Sequence, residues 1–161
     1  MGSRERELFD PVTTEAKAEM EIFCRKGKSI DSIRRRPFDS RVDIPSYISG
    51  YVDGEGCFTV SISPRPTLLV GWEVRPSLSV SQNGDRSEVL LEIQRYFGCG
   101  TLRPDRSDRT LKWEIRSLPL LLARVVPHFE MYPLLSGKRK DCELFVDICR
   151  RMARQEHRSV S

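Results

Sequence analysis

The chain has 161 residues, 27 Lys plus Arg against 23 Asp plus Glu, a formal net charge of +4 and 39% hydrophobic residues. That length suits one domain with a real core, and the apolar fraction is too high for a wholly disordered chain. No apolar run reaches the roughly eighteen residues of a transmembrane helix, and the N-terminus MGSRERELFD lacks the apolar stretch of a signal peptide.

Five cysteines, at 24, 57, 99, 142 and 149, include no Cys-x-x-Cys pair, and the only histidines are His128 and His157. This usage argues against a structural zinc site and a disulfide framework. It fits a reducing compartment, the cytoplasm of a prokaryote or the matrix or stroma of an organelle. The basic excess lies in residues 83–161, which hold 15 basic and 11 acidic residues. A charge of this size permits nucleic-acid binding without requiring it.

Residues 1–40 read as a highly charged helical extension. Thr13 or Thr14 can cap TEAKAEMEIFCRKG, Gly27 can end it, and KSIDSIRRR stops before Pro37. The run Arg34-Arg35-Arg36 is either a solvated face or a contact to a DNA backbone. Asp43 then caps a helix with Pro45 in its first turn, where the missing N–H is harmless. Gly54-Glu55-Gly56 should stop that helix, since two glycines in three residues oppose continuation.

Strict alternation follows. Phe58, Val60 and Ile62 point one way; Thr59, Ser61, Ser63 and Arg65 point the other. Trp72, Val74, Pro76, Leu78 and Val80 share a face, opposite Glu73, Arg75, Ser77, Ser79 and Ser81. Period two over this length predicts half-buried strands, with Pro76 at an edge or bulge. Asp85 and Glu88 form a capping signature for a helix, SEVLLEIQRYF, closed by Gly98. GTLRPD and TLKWEIR read as a strand pair around a polar turn, with Leu111, Trp113 and Ile115 inward and Lys112, Glu114 and Arg116 outward. Ser117 can cap a helix through LPLLLARVV, perturbed at Pro127. A last helix spans roughly 137–156, and residues 157–161 read as a frayed tail. The expected architecture is α+β, αββαββα, with a four-stranded antiparallel sheet, helices on one face and a polar opposite face.

The segment Tyr47-Ile48-Ser49-Gly50-Tyr51-Val52-Asp53-Gly54-Glu55-Gly56-Cys57-Phe58 carries the chemistry. Gly50 and Gly54 are four apart on one helix face, where small residues let a second helix approach closely. Tyr47 and Tyr51 pack around that contact. Asp53, at the helix end, can bond nearby backbone groups, and Glu55 projects beyond it.

This segment resembles the signature of the LAGLIDADG homing endonucleases, in a variant ending D-G-E-G. The resemblance extends over residues 44–152. It implies a saddle-shaped sheet over the DNA major groove, with domain boundaries at 41–156. It also implies a metal-dependent, site-specific double-strand DNA endonuclease. Glu55 and Gly54 are the implied metal positions, for Mg²⁺, with Mn²⁺ or Ca²⁺ able to substitute for binding. A hard cation of this kind takes one or two carboxylates and completes its shell with water and phosphate oxygens.

Gln82 matches a glutamine that helps place the attacking water, Arg86 a basic residue at the active-site periphery, and Lys138 a lysine near the scissile phosphate, with Arg139 and Lys140 as neighbouring alternatives. Thr59, Ser61, Arg65, Glu73, Arg75, Ser77, Ser79, Arg103, Lys112, Glu114 and Arg116 would face the DNA. The family's metal-binding acid is most often Asp, where this chain has Glu55. No second motif occurs, so the resemblance implies a homodimer joined through Tyr47, Gly50, Tyr51 and Gly54, acting on a near-palindromic target. The alternative is a non-enzymatic RNA maturase, with intron RNA as partner, or a DNA-binding regulator on the same fold.

Overall fold

The structure, a computed structural model, describes residues 41–83, 86–105 and 110–156. The expected extension over 1–40, the Asp85 cap, part of the polar turn and the tail at 157–161 lie outside them.

Helix α1 spans Ile44–Glu55. Asp43 is extended and its carboxylate accepts from the Ser46 N–H at 3.4 Å, with Pro45 in the first turn, as the sequence predicts. The helix stops within Gly54-Glu55-Gly56, as the glycines predict. It runs through Glu55, and Gly56 is the cap. Two glycines are tolerated because the last carbonyls have partners: Val52 O accepts from the Gly56 N–H and, at 3.2 Å, from the Lys138 ammonium. Glycine is required at 56, where an added Cβ would lie 2.5 Å from Val52 Cγ1 and 2.6 Å from Val52 O.

Strands β1 (Gly56–Pro64), β2 (Trp72–Asn83), β3 (Thr101–Asp105) and β4 (Thr110–Ile115) form one antiparallel sheet, in the order β1-β2-β4-β3. Cys57 pairs with Ser79, and Ser79 with Glu114. The alternation predicts the faces of the inner half of β2: Leu78 and Val80 are buried. It fails at the hairpin end, where Ile62 is 65% exposed and Trp72 53%. The β2–β4 ladder begins at Leu78, and the helix layer meets β1 at Phe58, whose ring lies 5.6 Å from Phe129 and 5.3 Å from Phe145. Beyond that Val60 still packs against the core, and the rest of the hairpin overhangs, with Ile62 and Trp72 exposed. The same overhang accommodates Pro76, where β2 is paired to β1 alone.

Helix α2 spans Glu88–Phe97 and ends at Gly98 in the left-handed conformation, φ 63°. It buries Leu90, Leu91, Ile93 and Phe97, and Phe97 stacks on Trp113 with ring centroids 5.5 Å apart. Trp113 is fully buried because its one polar atom is satisfied: Nε1 donates to the Cys99 carbonyl at 3.0 Å.

After β4, α3 (Leu118–Leu120), a π turn (Leu121–Val125) and α4 (Val126–Met131) form one continuous helical run. The sequence places the disturbance at Pro127; it falls one turn earlier. Pro127 lacks an N–H and its ring crowds the Ala123 carbonyl, so the turn before it widens, with the Val126 N–H reaching Leu121 O. Ser117 flanks this run without a side-chain cap bond. Helix α5 (Lys138–Ala153) buries Cys142, Phe145, Cys149 and Met152 against the sheet layer. Burial pushes both thiols up to about 11, so they stay protonated and serve as small apolar groups. Among the described residues no helix is long and apolar enough to cross a membrane.

One buried polar cluster fixes α1 to α4. Ser49 Oγ lies 2.6 Å from the Tyr132 carbonyl and 3.1 Å from His128 Nε2, and the Tyr96 hydroxyl lies 3.0 Å from His128 Nδ1. The serine has one proton and a carbonyl can only accept it, so that proton goes to Tyr132 O. Nε2 must then carry the ring hydrogen and donate to Ser49, which leaves Nδ1 to accept from Tyr96. A neutral imidazole satisfies every member. Burial lowers the His128 pKa from its ordinary 6.5 to about 4. Between those values the unfolded chain binds more protons than the native one, so acid favours unfolding. Stability is expected to fall from pH 6.5 to 4, this ring contributing at most about 1.4 kcal/mol per pH unit, and the urea midpoint falls with it. A midpoint flat across that window would contradict the neutral ring.

Candidate active site and nucleic-acid interface

Glu55 is the last residue of α1 and Gly56 the first of β1, so the helix-to-strand junction delivers the carboxylate to one end of the polar sheet face. Two tethers hold the junction, both from the segment entering α5. Asp53 accepts from the backbone N–H groups of Leu135 (3.2 Å) and Ser136 (2.9 Å), while the Ser136 hydroxyl bonds its other oxygen. These bonds, the Ser136 hydroxyl foremost, hold the Asp53 carboxyl below its usual range. Asp53 thus bonds backbone groups close to the helix end, as expected, and these lie 82 and 83 residues away in sequence. Lys138 forms the second tether. Its Nζ donates to the carbonyls of Val52 (3.2 Å), Gly54 (3.3 Å) and Gly56 (2.7 Å). Three donors meet three acceptors at a helix C-terminus, where a cation is favoured. The Gly54 carbonyl, an expected metal position, thus already accepts from a cation.

Gln82 lies near the end of β2. Its amide nitrogen donates to the Tyr51 hydroxyl, and its Oε1 accepts from the Asn83 N–H at 2.8 Å. Tyr51 is half-buried and stacks on Tyr47 at 6.2 Å; burial raises its pKa, against the opposing effect of the Gln82 bond. Among the described residues, the outer face of α1 carries small and exposed positions. Tyr47, Gly50 and Gly54 are exposed, and a Cβ added to either glycine meets nothing within 4 Å.

The polar sheet face is a groove of about 450 Å³. Thr59, Ser61, Arg75, Ser77 and Ser79 line it from β1 and β2, and Arg103, Lys112, Glu114 and Arg116 from β3, β4 and the residue after β4. Glu55 also lines it. Two further lining residues, Cys57 and Ser81, were absent from the sequence-based set, although the period-two pattern puts both on this face. Arg65 and Glu73 are not in the lining; they join it through Arg75, since Glu73 pairs with Arg65 at 2.6 Å and Arg75 at 2.7 Å. These two guanidiniums hold the Glu73 carboxyl below its usual range. Gln82, Arg86 and Lys138 are likewise outside the lining, and Arg86 is exposed just past β2. Four cations face two carboxylates in the groove, which makes it a positive concavity beside one acid.

Among the described residues no three His, Cys, Asp or Glu side chains cluster as metal ligands. One chain therefore offers a single exposed carboxylate at the groove. That donor set does not fit a zinc centre, which needs three or four protein ligands. It fits a hard divalent cation that shares its shell with water and phosphate oxygens.

This chain and its fold have known counterparts. The sequence model of the LAGLIDADG endonuclease family matches residues 48–149. The DNA endonuclease I-CvuI of Chlorella vulgaris is 30% identical over 118 residues, 71% of this chain and 69% of that protein. The crystal structure of the homing endonuclease I-TnaI superposes with a TM-score of 0.67 at 36% identity, covering 71% of this chain and 77% of that one. The I-LtrWI LAGLIDADG homing endonuclease bound to target DNA superposes with a TM-score of 0.71 at 29% identity, covering 73% of this chain and 40% of that one. The chain spans only about a quarter of two fungal relatives it matches: 26% of a Neurospora crassa probable intron-encoded endonuclease 2 and 25% of a Podospora anserina protein in ND4 intron 1. This chain belongs to the LAGLIDADG endonuclease family.

Proposed function

We propose that the chain is one half of a site-specific double-strand DNA endonuclease that hydrolyses phosphodiester bonds as a homodimer. The observation that carries this reading is the positive groove with Glu55 at its end and the small, exposed positions on the outer face of α1 beside it. The DNA-bound relative supports a duplex as the partner. A divalent metal, Mg²⁺ in this reading, would be held by Glu55 and a second Glu55 across the dimer axis; when bound it supplies charge stabilisation and an acidified water. Like-charged carboxylates brought that close need a cation between them. Gln82, tied to Tyr51, positions polar groups at the inner end of β2. Lys138 acts first on the protein itself, by fixing the junction that carries Glu55. Arg86 contributes positive charge at the periphery. Residues 41–156 form the endonuclease domain, with 1–40 as an N-terminal extension, in a compartment that holds prokaryotic or organellar DNA.

Linearisation of a plasmid bearing the native insertion site, with and without Mg²⁺, tests the reading. Failure of every divalent metal to support cutting, while binding persists, would refute it. Dimerisation is tested separately by Gly50→Leu. The bulky side chain is expected to wedge the two helices apart, so the variant sediments as a monomer. A stable dimer in that variant would refute packing through α1.

A further inference from the structure

The polar sheet face carries two copies of one arrangement, one within the groove lining and one that joins it through Arg75. Glu73 pairs with Arg65 (2.6 Å) and Arg75 (2.7 Å). Glu114 pairs with Arg116 (3.0 Å) and Arg103 (3.4 Å). In each, the carboxylate is recessed and the arginines stand above it. The Glu73 and Glu114 side chains are 22% and 10% exposed, against 48–57% for the four guanidiniums.

Exposed ion pairs contribute little to stability, so the Glu73 triad is poorly explained as a brace for the fold; the buried Glu114 carboxylate needs a cation, yet both of its arginine side chains are more than half exposed. Their geometry suits recognition. Each carboxylate engages one nitrogen of each guanidinium fork and leaves the other N–H donors to partners of their own. An arginine already held loses less freedom on binding. What the triads present outward is donors only. Guanine alone offers two acceptors, N7 and O6, on its major-groove edge. Adenine sets a donor beside its acceptor, and thymine adds a methyl group. One carboxylate per pair of cations also halves the charge available to arbitrary phosphates, which weakens sequence-independent attraction.

Resting on the reading of the chain as a DNA endonuclease, we propose that the two triads are separate guanine-reading units, in which arginines contact the base and Glu73 and Glu114 are positioning residues. The units sit at different depths along the sheet. Glu73 pairs with Ser63 near the hairpin tip, whereas Glu114 pairs with Ser79 beside Cys57, close to Glu55. The Glu114 unit therefore reads nearer the cut and the Glu73 unit farther out.

The test is selection of duplexes from a randomised library by the full chain in Ca²⁺ buffer, followed by affinity measurements on single-position variants at several salt concentrations. Enriched half-sites are expected to hold guanine at two separated places. Arg116→Ala should relax the guanine preference by about tenfold or more at the inner place only. Arg75→Ala should do the same at the outer place. Glu114→Gln should relax the inner preference without weakening binding to the pool as a whole, since it removes a negative charge from the interface.

Uniform weakening across sequences with a shallower salt dependence would show phosphate contacts and overturn the proposal. So would unchanged selectivity with only a lowered melting temperature, the mark of a structural brace. Enriched sites without guanine at either place would overturn it while leaving DNA recognition intact. Failure to enrich any duplex would overturn both this proposal and the function on which it rests.

Discussion

Replacing Glu55 by Gln is expected to reduce DNA cutting by about a thousandfold or more while leaving duplex binding intact or slightly tighter. The substitution keeps the shape and removes the charge. The side chain is exposed at the end of α1, so stability should change by no more than about 0.5 kcal/mol. The loss falls on the chemistry. Metal assistance to phosphodiester hydrolysis supplies several kcal/mol of transition-state stabilisation, and each 1.36 kcal/mol is a factor of ten in rate. Binding should survive because the cations of the groove are untouched and one opposing charge is gone. Plasmid cutting compared with gel-shift affinity checks both halves of the statement. A variant that still cuts within tenfold of the wild type would remove Glu55 from the catalytic role.

The Gly56→Ala change is expected to damage both fold and activity, although it adds one methyl group. That methyl would lie 2.5 Å from Val52 Cγ1 and 2.6 Å from the Val52 carbonyl. The carbonyl is helix backbone and cannot swing aside, so α1 and β1 must separate. Overpacking of this kind costs about 1–3 kcal/mol. The same shift displaces Glu55, the neighbouring residue, and the Gly56 carbonyl that accepts from Lys138. Cutting should therefore fall further than stability predicts at a temperature where the variant is fully folded. Gly137→Ala is the control, since its added methyl meets nothing within 4 Å and it lies outside the α1 face and the junction. Equal urea midpoints for Gly56→Ala and the wild type would show that the junction is not tight.

The sequence announces some of these features more clearly than others. Period-two patterning is a local property, and it assigned Thr59, Ser77, Lys112 and Glu114 to one sheet face because alternation requires only neighbours. It cannot say whether anything covers the other face, which is why Ile62 and Trp72 read as core and are exposed. The Asp43 cap and the Gly98 stop were legible because each acts within one turn. The tethers of Asp53 to Ser136 and of Lys138 to Gly56 join residues more than eighty apart. No local pattern encodes them, so Lys138 was placed by resemblance and its three carbonyl partners were not foreseen. The Ser49–His128–Tyr96 cluster escaped for the same reason, its members lying 79 and 32 residues apart. The triads were half visible: charges of the right kind on the right face, with nothing to say which arginine each glutamate holds.

The span between Asp53 and Ser136 also bears on the order of events during synthesis. The acid-bearing helix leaves the ribosome early, but its C-terminus gains its tethers only when the segment entering α5 arrives, 82 to 86 residues later. Closing so long a loop is slow relative to local folding. Until then α1 ends in carbonyls without their cation, and the junction that aims Glu55 is loose. A chain that lacks α5 therefore lacks the two tethers that aim Glu55 at the groove.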